Sequence, residues 1–227
     1  MPQVCGIITC SLSRGKIETN CLLRFIMRDV KFYLRDRDTD VVRAWTKQFA
    51  DTPQVEASQG DIFDIRADAI VSPANSFGFM DGGIDLAYSY RFGWQLQERL
   101  QELLRTEHDG ELPVGDAVII ETEDANYRYL VSAPTMRMPM IVSNTVNAYL
   151  AFRATLRAVR EHNQRSEDKI QSVLCPGLAT ATGAMSPEVC ARQMWAAYAI
   201  CVLGQMNSPK ALWEVSDEHQ RLIRDSD

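Results

Sequence analysis

The chain has 227 residues, of which 46% are hydrophobic and 24% are charged. This balance is typical of a folded globular protein and is enough for one well-buried domain or two small ones. The formal net charge of −6 argues against general binding to nucleic acids or anionic lipids, because such binding depends on Lys and Arg. No apolar run in the sequence reaches the roughly 18 residues that cross a bilayer, so we expect no membrane partner.

An irregular N-terminal segment gives way to a regular pattern near Met27. We therefore interpret residues 1–27 as a poorly ordered extension and residues 28–227 as a single domain. One hypothesis is that natural translation starts at Met27 and that the residues before it come from a misassigned start codon. The alternative is a genuine tail. The segment lacks the basic start and the sustained apolar core of a signal peptide.

Past Met27, strands and helices alternate along the chain. Strands are predicted at Lys31–Leu34, Val55–Ala57, Ala69–Ser72, Ala117–Ile120, Tyr129–Ser132 and Ser172–Cys175. Helices are predicted from Val41 to Phe49 after a cap at Asp38 or Thr39, from Asp85 to Leu104 with a break at Gly93, from Thr145 to His162, and in a final helix from Pro187 through Val202. This alternation predicts an α/β fold whose single sheet is covered by helices on both faces.

The six cysteines are too few for a scaffold held together by disulfides. They predict free thiols and a reducing, cytoplasmic setting. Cys5, Cys10 and Cys21 have neither metal-type spacing nor a nearby His, so we predict no metal site and no other cofactor.

The candidate site consists of the segments that follow strands, because ligands of open α/β sheets bind beyond the carboxyl ends of strands. The first such segment is Gly60-Asp61-Ile62-Phe63. Asp61 can accept a hydrogen bond from an exocyclic amine such as that of adenine, or it can simply cap a turn. Taken alone, the segment favours the turn.

The second segment, residues 72–93, is glycine-rich and leads into a helix near Ile84. Consecutive Gly82 and Gly83 allow the backbone to approach a phosphate or a sugar closely. Asn75 offers an amide for a ribose hydroxyl, and Asp85 offers a carboxylate that can orient or activate water. The alternative is a flexible turn in which Asp85 merely favours the helix N-terminus.

The third segment, residues 175–188, joins a strand to a helix through small and hydroxyl-bearing residues. Such a loop suits a diphosphate held by main-chain N–H groups. It has no G-K-[ST] sequence and no G-x-G-x-x-G sequence, so it is neither of the common phosphate motifs.

Together and in this order, the segments resemble the macro domain family, which binds ADP-ribose. The resemblance spans about residues 31–207. It rests on Gly60-Asp61-Ile62, on ADAIVSPAN at residues 67–75, on DGGID at residues 81–85, on GDAVI at residues 115–119, and on PGLATATGAMSP at residues 176–187. The family implies a three-layer α/β/α sandwich with a mixed central sheet. It also implies that the partner is ADP-ribose or an ADP-ribosylated protein.

The resemblance also implies roles for individual residues. Asp61 would receive the adenine amine with Ile62 beside the ring, and Asn75 would bind the distal ribose. Asp85 matches the catalytic aspartate of the hydrolase-like branch, which helps a water attack the anomeric carbon of the distal ribose. The backbone around the phosphates and the first ribose would come from Gly82, Gly83, Ile84, Thr180, Ala181, Thr182, Gly183 and Ala184.

The sequence departs from the family pattern at several of these positions. Ser72 replaces the first Asn of N-A-A-N, and Asp81 replaces the first of three glycines, which places a negative charge near an anionic ligand. Ala179, Ala181 and Ala184 stand where glycines are common, and we expect their Cβ atoms to narrow the loop and to disfavour positive φ.

Three hypotheses about function follow. The first is a hydrolase that removes ADP-ribose from conjugates by means of Asn75 and Asp85. The second is a module of the same fold that binds ADP-ribose or a related nucleotide without turnover. The third is a phage-like structural protein that keeps the fold with a degraded pocket. The methionines of the TMRMPM segment, residues 135–140, are assigned either to a pocket rim, to a partner surface or to the core.

Overall fold

The computed structural model describes residues 27–206 and 208–224. The strands in these residues are β1 (Lys31–Asp36), β2 (Val55–Gln59), β3 (Ala69–Ser72), β4 (Val118–Asp124), β5 (Tyr127–Ser132) and β6 (Ser172–Cys175). The α-helices are α1 (Thr39–Gln48), α2 (Gly83–Phe92), α3 (Gln95–Glu107), α4 (Asn147–Arg165), α5 (Pro187–Cys201) and α6 (Leu212–Ile223). The predicted N-terminal extension lies outside the described residues, except for Met27, which is fully buried.

The strands form one mixed sheet in the order β2-β1-β6-β3-β5-β4. Every neighbouring pair is parallel except β4 and β5, which form the predicted antiparallel hairpin. Because β1, β2, β3, β5 and β6 run parallel, their carboxyl ends lie at one edge of the sheet.

Successive strand residues face two separate helical layers, as the pleat of a strand requires. Phe32 and Leu34 of β1 pack with α1, α4 and α5, whereas Tyr33 between them packs with α2 and α3. In the same way, Val71 of β3 faces the first layer and Ile70 the second. The three-layer α/β/α sandwich is therefore confirmed.

Local chemistry accounts for the ends of the helices. The Asp38 carboxylate accepts the N–H of Asp40 at 2.8 Å and caps α1. Gly93 has a φ of 89° and separates α2 from α3, as the sequence predicts. The Ser186 hydroxyl accepts the N–H of Val189 and caps α5, with Pro187 in the first turn.

Two helix predictions need correction. Helix α2 begins at Gly83 and not at Asp85, which places Asp85 in the first turn. Helix α5 is not the final helix, because α6 follows it. Helix α6 packs against α5 and has no buried residue, and its Leu212 and Trp213 are largely exposed. Among the described residues, no helix is long and apolar enough to span a membrane.

Candidate ligand-binding site

A cavity of about 610 Å³ opens at the carboxyl ends of the parallel strands. The segments that follow β1, β2, β3, β5 and β6 form its walls. It is lined by residues 35–38, 60–63, 73–75, 79, 81–85, 87, 135–136, 139, 176–177 and 179–183. All of the predicted site residues line this cavity except Ala184, which lies in the same loop but outside the lining.

The segment after β2 is held in place by arginines of β1 and of the turn that follows. The Asp61 carboxylate accepts the N–H of Phe63 at 3.0 Å and pairs with Arg37. Both contacts lower the pKa of the Asp61 carboxyl and keep it ionised, and the hydrogen bond from the Phe63 N–H has the larger effect. Arg35 donates to the backbone oxygen of Asp61 at 2.6 Å. Asp61 is thus a turn cap whose carboxylate remains a hydrogen-bond acceptor at the cavity wall, and Ile62 is buried beside it.

Asn75 holds the loop after β3 in shape. Its Oδ1 accepts the N–H groups of Phe77 and Phe79, at 3.1 and 3.3 Å, and its Nδ2 donates to the carbonyl of Phe79 at 2.8 Å. A primary amide has two N–H donors, so one donor of Asn75 is left over for a ligand.

The N-terminus of α2 faces the cavity without a side-chain cap. Gly82 occupies the N-cap position in an extended conformation, and Gly83 has a φ of 55° that favours glycine. A Cβ at either position would meet no protein atom within 4 Å, because both glycines border open space. The first N–H groups of a helix have no partner in the helix itself and attract anions, so this backbone suits a phosphate.

Asp85 lies in the first turn of α2 and is 7% exposed. Its Oδ1 accepts the hydroxyl proton of Ser72, the last residue of β3, at 2.6 Å. Burial raises the pKa of the Asp85 carboxyl from its ordinary 3.8 to about 7, and the hydrogen bond from Ser72 opposes that rise. A carboxyl that titrates near neutral pH inside a cavity can take or give a proton.

The loop after β6 is tied to the end of β1. Asp36 accepts the N–H of Gly177 at 3.0 Å through Oδ2 and the N–H of Asp38 at 2.9 Å through Oδ1. A Cβ at Gly177 would lie 2.4 Å from the Thr180 hydroxyl and 2.8 Å from the Asp36 carboxylate. A side chain at position 177 would therefore displace Thr180 or Asp36, which favours glycine where the loop turns against β1.

The alanines of this loop behave differently from the sequence prediction. Ala179 and Ala184 adopt φ values of 63° and 52°, which are left-handed conformations that alanine rarely takes. The fold thus keeps the glycine-like backbone at these two positions and stores strain there. Ala181 does not share this conformation.

Sequence reasoning missed part of the site. Asp36 is the last residue of β1 and Arg37 follows it. The rule that ligands bind beyond the carboxyl ends of strands, which pointed to the other segments, would therefore have found both residues. The contribution of Pro139, after β5, is also new. Of the open assignments for the TMRMPM segment, Met136 is buried in the cavity wall, whereas Met138 and Met140 are exposed.

Metal binding finds no support in the described part of the chain. Residues 27–206 and 208–224 contain no cluster of three or more His, Cys, Asp or Glu side chains that could hold a metal ion.

The cavity lies at the carboxyl ends of parallel strands, where α/β proteins bind their ligands, and its glycine-rich backbone and uncapped helix N-terminus suit a small anionic ligand. The family model for the Macro domain matches residues 71–194. The chain therefore belongs to the macro domain family.

Relatives by sequence include two uncharacterized proteins. An uncharacterized protein of Aeropyrum pernix is 36% identical over 136 residues, a match that covers 60% of this chain and 66% of that protein. An uncharacterized protein of Aquifex aeolicus is 29% identical over 140 residues, covering 62% of this chain and 78% of that one.

Solved structures share the fold at low sequence identity. The macrodomain of Mycobacterium tuberculosis DarG has a TM-score of 0.53 at 21% identity, and the match covers 62% of this chain and 87% of the DarG macrodomain chain. A glycine-to-valine mutant of the Oceanobacillus iheyensis macrodomain, solved with ADPR, has a TM-score of 0.53 at 20% identity and covers 71% of this chain and 89% of its own.

Proposed function

We propose that this chain binds ADP-ribose in the cavity and hydrolyses the bond between ADP-ribose and a modified macromolecule. The observation that carries the proposal is Asp85, a buried carboxyl that lines the cavity and titrates near pH 7. It lies at the uncapped N-terminus of α2, beside backbone suited to phosphate.

Each part of ADP-ribose can be assigned to a segment of the cavity lining whose chemistry suits it. Asp61 is an acceptor for the adenine amine, with Ile62 as an apolar neighbour for the ring. The diphosphate lies between the N-terminus of α2, at Gly82 and Gly83, and the loop of residues 180–184. The free N–H of Asn75 donates to a hydroxyl of the distal ribose.

In the reaction, a water oxygen bonds to the anomeric carbon of the distal ribose as the bond from that carbon to the carrier breaks. Asp85 takes the proton of the water through Oδ2, because Oδ1 is occupied by Ser72. The carrier leaves with the bonding electron pair and takes that proton from Asp85, which returns to its ionised form.

Solved variants of a relative add support to the assignment of these two residues. Alanine variants of the Oceanobacillus iheyensis macrodomain replace an asparagine and an aspartate that are ten positions apart in that chain. Asn75 and Asp85 have the same separation. The same macrodomain is solved with ADP, which supports a nucleotide as the ligand here.

The first test is isothermal titration with ADP-ribose beside AMP and ADP. Binding selective for ADP-ribose supports the proposal, and no detectable binding overturns it. The second test is release of ADP-ribose from a mono-ADP-ribosylated protein. Asp85→Ala should abolish release and keep the affinity for ADP-ribose. The matched control is Asp81→Ala at the cavity edge, which should keep turnover and strengthen binding by removing a like charge.

A binding module without turnover is the second candidate. Asn75 favours it, because most of the hydrogen-bonding capacity of its amide is spent on the loop backbone. One result distinguishes the two candidates. If the wild-type protein binds ADP-ribose tightly and selectively but releases none from the modified substrate, it is the binding module.

A further inference from the structure

The segment of residues 136–142, here called the strap, crosses between the two ligand-binding loops. At one end, Met136 pairs with Asn75 in a β-bridge, and the carbonyl of Arg137 accepts the N–H of Ser76 at 3.0 Å. At the other end, the N–H of Val142 donates to the carbonyl of Gly183 at 2.9 Å. The strap therefore has a fixed position beside the cavity.

The strap exposes apolar side chains between these anchors. Met138 is 56% exposed, Met140 is 50% exposed and Ile141 is 71% exposed. Pro139 lies among them and lines the cavity, as does the half-exposed Phe79 of the facing loop. Exposed apolar side chains that are grouped on a fixed segment and left in water are characteristic of a binding surface.

The charges around the strap disfavour a polyanion. The guanidinium of Arg137 is held by both carboxylate oxygens of Glu111, at 2.7 and 2.9 Å. Asp81, at the cavity edge, adds a negative charge. Affinity for a nucleic acid depends on Lys and Arg that face its phosphates, and the only basic residue of the strap is Arg137, which Glu111 already pairs.

We propose that the strap is the docking surface for a polypeptide that carries the ADP-ribose group. The inference rests on the proposed function, because the carrier is attached at the distal ribose and must leave the cavity beside Asn75. Methionine side chains are flexible and adapt to different apolar partners, so the strap suits carriers of varied sequence with uncharged or basic residues near the modified position.

The test compares free ADP-ribose with a mono-ADP-ribosylated protein in the Asp85→Asn background, which prevents consumption of the substrate. The strap variant is Met140→Ser with Ile141→Ser, neither of which lines the cavity. The control is Leu212→Ser with Trp213→Ser on α6, which likewise replaces two exposed apolar side chains, outside the strap and the cavity lining. Affinities are measured by biolayer interferometry for the protein and by titration calorimetry for the nucleotide.

We expect the Asp85→Asn protein with an intact strap to bind the modified protein more tightly than free ADP-ribose. The strap variant should bind the modified protein about tenfold more weakly, with its affinity for free ADP-ribose unchanged, because two apolar contacts are lost outside the cavity. The α6 variant should match the intact protein on both ligands.

Two results would overturn the inference while leaving the proposed function standing. One is a strap variant that binds the modified protein as tightly as the intact strap does. The other is tighter binding of a mono-ADP-ribosylated oligonucleotide than of the modified protein. Loss of all binding to free ADP-ribose in the intact protein would instead overturn both proposals together.

Discussion

The hydroxyl of Ser72 donates to Oδ1 of Asp85 at 2.6 Å, and both side chains are buried. Ser72 ends β3 and Asp85 lies in the first turn of α2, so this contact fixes the helix start against the sheet. It also favours the ionised carboxylate, because a hydroxyl donor stabilises the charged form.

Replacing Ser72 by alanine should raise the pKa of Asp85 further. A hydrogen bond to a charged group contributes about 1.5 kcal/mol, which corresponds to roughly one pH unit. Carboxyl carbon NMR of labelled aspartate, assigned with Asp85→Asn, measures the titration directly. The pH profile of any hydrolysis should shift in the alkaline direction by the same amount. Ser132→Ala is the control, since Ser132 is the register partner of Ser72 on β5 and is equally buried. An unchanged Asp85 titration in Ser72→Ala would refute this role.

Asp85→Asn should stabilise the protein at alkaline pH. In the unfolded chain the carboxyl ionises near pH 3.8, whereas in the fold it keeps its proton up to about pH 7. Between these values the folded state holds a proton that the unfolded chain releases, so stability falls as pH rises through this window. Above pH 7 the loss of stability that comes from ionising the buried Asp85 carboxyl is complete and amounts to roughly 4 kcal/mol.

The measurement for Asp85→Asn is chemical denaturation at pH 4 and pH 8. We expect little difference from the wild type at pH 4 and a higher free energy of unfolding for the variant at pH 8, by up to about 4 kcal/mol. Equal differences at the two pH values would show that the gain does not come from the titration of Asp85.

Much of the fold could be predicted from the sequence, because the sequence signals that define its helices and strands are local. The cap at Asp38, the break at Gly93 and the apolar run of β3 each depend on a few neighbouring residues, and the structure confirms them. Helix α6 was missed although its sequence is amphipathic, with Leu212, Val215 and Leu222 on one face. It buries no side chain among the described residues, so it adds nothing to the core that the sequence analysis sought.

The site was accessible only in part. The lining loops after β2, β3 and β6 were predicted because each follows a strand, whereas the contribution of Asp36 and Arg37 after β1 was missed. The partnership of Ser72 with Asp85 was not, because it depends on how α2 is rotated against β3. In the sequence, Ser72 is a departure from the family pattern, and the structure gives it a partner in the candidate machinery. The ties of Asp36 to Gly177 and of Val142 to Gly183 join distant parts of the chain and equally needed the structure.

Gly82→Val should separate ligand binding from folding. Gly82 has a φ of −145° and a ψ of 160°, an extended conformation that any residue adopts, and an added Cβ meets no protein atom within 4 Å. We expect the free energy of unfolding to change by no more than about 1 kcal/mol, mainly through the poorer N-cap. Affinity for ADP-ribose should fall at least about tenfold, because the side chain occupies cavity space next to the helix N-terminus.

Denaturation and titration calorimetry on the same preparation test Gly82→Val, and Gly82→Ser serves as the smaller, cap-compatible comparison. Gly83 is unsuitable for this purpose, because its φ of 55° would strain any side chain. Unchanged ADP-ribose affinity in a folded Gly82→Val protein would mean that the ligand does not approach this backbone.

Ala184→Gly should stabilise the protein, because alanine at a φ of 52° carries left-handed strain of about 1–2 kcal/mol that glycine does not. The greater freedom of glycine in the unfolded chain offsets part of this gain, which leaves about 0.5–1 kcal/mol and raises the Tm by about 2–3 °C.

Ala181→Gly is the matched control in the same loop, being exposed and free of positive φ, and it should lower stability. Ala179→Gly should gain less than Ala184→Gly, because the methyl of Ala179 is buried in the core. Thermal unfolding of the three variants decides the matter: a loss of stability in Ala184→Gly equal to that in Ala181→Gly would show that position 184 carries no strain.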